Sequence, residues 1–146
     1  MNAGRICTKS VDTVAPEESV LSASRRMSDR NVGTLVVVNP HNQPLGILTD
    51  RDLVVRVLAR GVEPVGTTVR QVMTRDIEAV TEESSVEDAL RIMRRGGCRR
   101  IPVVNAETGL VGILTLDDIL KSLAAEFSDI GRVLRDQSPA TLGEIP

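Results

Sequence analysis

Thr49 and Asp52 stand three residues apart in "GILTDRD", and Thr115 and Asp118 stand three apart in "GILTLDD". At the start of a helix this spacing has two uses. As a capping box, the threonine is the N-cap and the acid at N3 reaches back to it, which needs no ligand. As a binding site, the same helix start offers unpaired N–H groups and a partial positive charge that favour a phosphate. The threonine hydroxyl can donate to a phosphate oxygen. An aspartate one turn on can accept from a pair of sugar hydroxyls, as acids do in other ribose sites. One pair of residues can do both.

Little else in the chain could carry chemistry. His41 is the only histidine and lies in the loop "PHNQP", where an exposed turn residue is expected. Cys7 and Cys98 are solitary, read as small buried hydrophobes rather than a disulfide or a zinc site. No nucleophile–base–orienter set and no metal-ligand cluster can be assembled, so the expected class is a binding protein and not an enzyme.

The two phrases belong to a longer repeat. Residues 6–53 align with 72–119 without a gap at a constant offset of 66, with 16 identities in 48 positions. The identities include Val14/Val80, Ser19/Ser85, Ala23/Ala89, Met27/Met93, the tripeptide "VVN" and "GILT". Such a repeat sets the architecture. Within each copy a short β-segment (around 11–14 and 77–80) leads into an amphipathic helix. That helix carries Val20, Ala23, Ser24 and Met27 in copy one, and Val86, Ala89, Leu90 and Met93 in copy two. Two β-rich runs joined by a turn-forming loop follow, "TLVVVN" to "LGILT" and "RIPVVN" to "LVGILT", which predicts antiparallel hairpins. A second helix closes each unit, at 50–59 and at about 117–136.

The unit is therefore β-α-β-β-α, written twice. A three-stranded unit of this size cannot bury both faces alone. The expected fold is α+β and sandwich-like, with the two units packed sheet to sheet about a pseudo-two-fold axis. The expected boundaries are 6–60 for the first repeat, 61–71 for a linker, 72–125 for the second repeat and 126–146 for a C-terminal helix extension and tail.

Composition narrows the partners. The net charge is −2 and Phe127 is the only aromatic residue, so nucleic acid finds neither a basic face nor stacking platforms. No apolar run approaches 18 residues and no export signal is recognisable, which predicts a cytoplasmic protein without a membrane partner. Leu123, Phe127, Ile130, Val133 and Leu134 recur at helical spacing on the last helix, a stripe that calls for a partner surface.

Tandem β-α-β-β-α units that each end in G-h-h-T-x-x-D-h (h, hydrophobic) resemble CBS domains, and the pair resembles a stand-alone Bateman module over about residues 6–125. "VMTRDIEAVTEESSVEDALRIM", "RRIPVVN" and "LTDRDL" carry the likeness. The resemblance implies a regulatory module for an adenosine ligand such as AMP, ADP, ATP or S-adenosylmethionine, with no cofactor required. It implies two clefts where the repeats meet. One would use Thr13, Val14, Thr34, Leu35, Thr49 and Asp52. The other would use Ala79, Val80, Ile101, Pro102, Thr115 and Asp118, with Arg99 and Arg100 as basic phosphate contacts or a solvated pair. It also implies a homodimer, and an effector protein, not identifiable from the sequence, that reads the signal. The competing reading is a ligand-free dimerisation scaffold in which the Thr-x-x-Asp pairs are only caps.

Overall fold

The computed structural model describes residues 1–137; the tail at 138–146 lies outside the described residues. The first lobe holds β1 (Thr13–Val14), α2 (Val20–Arg30), β2 (Thr34–Val38), β3 (Pro44–Thr49) and α3 (Asp50–Leu53). The second holds β5 (Val80–Thr81), α5 (Val86–Gly96), β6 (Arg100–Val104), β7 (Leu110–Thr115) and α6 (Leu116–Gln137). Three short elements lead into the lobes: α1 (Ala3–Ile6), α4 (Val69–Val72) and β4 (Thr74–Arg75).

The two hairpins are copies in register. Thr34 pairs with Thr49 and Val36 with Ile47, and 66 positions on Arg100 pairs with Thr115 and Pro102 with Ile113. Each hairpin carries its irregularity at the same place, Val37/Val38 and Val103/Val104. The first helix ends alike in both copies, on a left-handed residue: Asn31 (φ 54°) and Gly97 (φ 63°). Asparagine and glycine are the residues that adopt this conformation at least cost.

Alternation along the strands sets two layers of packing. Leu35, Val37 and Leu48 face α2 and form one core with Val20, Ala23 and Met27. Ile101, Val103 and Leu114 form the matching core with Ala89 and Met93. Val36 and Pro102 point the opposite way along their strands, yet both are fully buried. Burial on the second face of both hairpins is in keeping with lobes that pack sheet to sheet. Leu90, expected on the core face, is 38% exposed. It lies at the edge of the apolar stripe, where copy one has the polar Ser24.

The leaders are exchanged between lobes. Ala3 and Gly4 N–H groups donate to Ser84 O and Glu82 O, and Thr8 pairs with Ile113 on the free edge of β7. Equivalently, Val69 and Arg70 donate to Glu18 O and Pro16 O, and Thr74 pairs with Ile47 on β3. Each lobe is thus completed by the segment that precedes the other. This explains the glycine of the repeated phrase. A Cβ on Gly46 would lie 2.5 Å from Thr74 O, and one on Gly112 would lie 2.6 Å from Cys7 Sγ and 2.8 Å from Thr8 O.

The second helix of copy one also differs from a plain helix over 50–59. After Asp50–Leu53 it continues as a π-helix, Val54–Leu58. The β-branched pair Val54-Val55 is a weak α-former.

Candidate functional site

Both Thr-x-x-Asp pairs form complete capping boxes. Asp52 N–H donates to Thr49 Oγ1 at 3.2 Å and Thr49 N–H to Asp52 Oδ2 at 2.9 Å. The bonds at Thr115 and Asp118 are both 3.0 Å. Each threonine hydroxyl accepts in its cap and so keeps its proton to donate elsewhere. Each aspartate uses only Oδ2. The second oxygen of Asp52 has the Arg56 guanidinium at 3.9 Å. That of Asp118 accepts from the Thr8 hydroxyl at 3.4 Å.

Thr49 and Asp52 open onto a cleft of about 440 Å3 between the lobes. Its opposite wall comes from the second copy: Arg99, Arg100 and Ile101 at the start of β6, and Gly96, Gly97 and Cys98 at the end of α5. The chain from Thr74 to Glu78 forms the floor with Ile47. Apolar surface from Ile47, Ile77, Ile92 and Ile101 meets polar groups at the rim. Arg99 has Asp117 at 3.7 Å, both side chains about 70% exposed. Arg100 has no ion pair among the described residues and pairs through its backbone with Thr115. Glu78, in the floor of the cleft, is paired with Arg95 at 2.7 Å.

The candidate residues thus regroup across the copies. Thr49 and Asp52 meet Arg99, Arg100 and Ile101 of the other repeat, while Thr34 and Leu35 adjoin Thr49 only through the β2–β3 ladder. Thr13 and Val14 line a separate groove of about 860 Å3 along β1, with Arg26, Arg30 and Pro40. Leu35, Val14, Val80, Ile101 and Pro102 have buried side chains. Ala79 immediately precedes β5. Thr74–Glu78 and Gly96–Cys98 line the cleft without having been singled out in the sequence. The signal that finds them is the exchange of leaders, which carries the lead-in to repeat two under Ile47.

The cysteines differ in setting. Cys7 is buried beneath Gly112, and that burial pushes its thiol pKa up. Cys98 is half-buried on the cleft wall. No helix among the described residues is long and apolar enough to cross a membrane.

Known proteins resemble this chain in sequence and fold. An uncharacterized protein of Methanopyrus kandleri is 33% identical over 121 residues, 83% of this chain, and the chain spans 62% of that protein's length. A CBS domain pair solved in complex with 5′-methylthioadenosine and S-adenosyl-L-methionine superposes with a TM-score of 0.73 at 25% identity. The match covers 86% of this chain and 98% of that one. A second structure, CBSX2 in complex with AMP, gives 0.72 at 26% identity over 85% and 96%. Residues 3–59 and 69–125 each match the CBS domain. With two tandem copies over most of its length, the chain belongs to the CBS domain family.

Proposed function

We propose that the chain is a regulatory module that binds an adenosine ligand (AMP, ADP, ATP or S-adenosylmethionine) between its two repeats. The observation that carries this is the cleft itself. It sets the helix start with Thr49 and Asp52 opposite the guanidinium groups of Arg99 and Arg100, with isoleucine walls between them. Thr49 donates to a phosphate or carboxylate oxygen, Asp52 Oδ1 accepts from the ribose hydroxyls, and the arginines balance the anionic end. The apolar walls hold adenine without an aromatic platform. Two similar structures carry adenosine compounds, which supports the ligand class. The ligand acts as the signal, not as a cofactor.

A homodimer and an effector belong to the same reading. On α6, Leu120, Leu123, Phe127, Ile130 and Leu134 are 38–73% exposed and spaced 3, 4, 3, 4, the pattern of a helix–helix seam. A second copy of the chain covers that seam, and light scattering of the purified protein would return twice the 15.8 kDa chain mass. The scaffold alternative has one observation in its favour, since both capping boxes are complete without a ligand.

Thermal unfolding against AMP, ADP, ATP and S-adenosylmethionine separates the readings. A ligand at a hundred times its Kd adds about 2.7 kcal/mol, a shift of several degrees for a domain of this size. Flat curves at millimolar concentration for all four would leave the scaffold.

A further inference from the structure

The 66-residue offset maps the walls of the Thr49/Asp52 cleft onto a mate containing Thr115 and Asp118, and the two walls differ in side-chain size and in where their charges stand. Where the first cleft has Gly96, the mate has Arg30, whose Nε donates to Asp12 Oδ1 at 2.8 Å. This pair ties the end of α2 to the lead-in of β1. Where the first has Ile92, the mate has Arg26, held by Glu18 at 2.6 and 3.1 Å and donating to Thr13 O at 2.9 Å. The hydrogen bond from Arg26 keeps the Glu18 carboxyl below the ordinary glutamate range.

The positions at the strand start differ as well. Arg99 and Arg100 of the first cleft become Gly33 and Thr34. Asp50 Oδ2 lies 2.8 Å from where a Cβ on Gly33 would stand, so a carboxylate covers the strand start that carries the arginines in the other copy. The free oxygen of Asp118 is already engaged by Thr8. The groove beside Arg26 and Arg30 runs along Thr13–Glu18 to Pro40, and its lining includes neither Thr115 nor Asp118.

From these differences we infer that one nucleotide binds per chain, in the Thr49/Asp52 cleft, and that Arg26, Arg30 and Asp50 close the mate to it. This rests on the nucleotide reading above and adds its stoichiometry and its selective residues. The exposed Arg30–Asp12 pair contributes little stability by itself. Its effect is to fill the space that Gly96 leaves open, while Asp50 opposes any phosphate arriving at Thr34.

Isothermal titration of the full chain with ATP, and separately with AMP, tests this. The expected result is one equivalent per chain. Asp52→Ala and Arg100→Ala should each weaken binding roughly tenfold to a hundredfold, the range for a charged hydrogen bond. Arg100 is exposed and outside the cap, so that variant reads binding even where Asp52→Ala loses stability. Two equivalents bound by the wild type, or one equivalent retained by Asp52→Ala at wild-type affinity, would overturn the inference and leave the nucleotide reading standing. Absence of binding by both nucleotides overturns the two together.

Discussion

Leu48 and Leu114 occupy equivalent places in the two lobes, as do Thr49 and Thr115, and Gly46 and Gly112. Gly96 and Arg30 are equivalent too, and there the copies diverge in size and charge. The residues that agree build the sheet, the cap and the crossing of the exchanged leaders. Several of those that disagree, Gly96, Arg99 and Arg100 among them, line the cleft. A duplicated fold keeps what each lobe needs to form and lets the cleft walls drift apart, so the symmetry of the backbone says little about the symmetry of binding.

The equality of the cores can be broken by truncation, which has the largest expected effect. Leu48→Ala and Leu114→Ala each remove a fully buried side chain and should cost about 3 kcal/mol, equal within about 1 kcal/mol, in urea unfolding. A much smaller loss in one lobe would show that its core is not equivalent. The glycine crossings come next. Gly46→Ala forces a methyl against the Thr74 carbonyl and should cost about 2 kcal/mol. Gly112→Ala should cost somewhat less because its nearest obstacle is a thiol. Cys7→Ala should then recover part of the Gly112→Ala loss and none of the Gly46→Ala loss, which a double-mutant cycle measures.

The caps should again be equal. Thr49→Ala and Thr115→Ala should each lose about 1 kcal/mol without ligand, read from the urea midpoint. The smallest effect sharpens the asymmetry. Glu18, held by Arg26, titrates lower folded than unfolded, so its contribution is present at neutral pH and lost as pH falls through the folded value. With both side chains about a third exposed, Glu18→Gln should cost about 0.5 kcal/mol at pH 7. The difference from wild type should fade below about pH 4. The second lobe has Ser84 and Ile92 at these places, so this pair has no counterpart there.

Much of this was readable in the sequence, for identifiable reasons. Gapless identity at one offset exposed the repeat, and the 3.6-residue period put Val20, Ala23 and Met27 on the core side of α2, where all three are buried. The threonine–aspartate spacing announced the caps. The exchange of leaders was not readable, because "GILT" is identical in both copies and Thr8 or Thr74 could pair locally with either. Only the short links from Thr8 to Thr13 and from Arg75 to Val80 decide it. The composition of the cleft follows from that exchange, so no local sequence signal marks Thr74–Glu78 as lining it or sets Thr13 in a different groove from Thr49. The pairing of Arg26 with Glu18 and of Arg30 with Asp12 carries no local sequence signal, because the partners stand 8 and 18 residues apart.

The most direct test of the whole account is an amide NMR titration of the chain with ATP. Saturable shifts are expected at Thr49, Asp52, Gly97 and Arg100, with none of comparable size at Thr8, Gly33 and Asp118. Shifts centred on Thr8 and Asp118, or none in either cleft at millimolar ATP, would contradict the account.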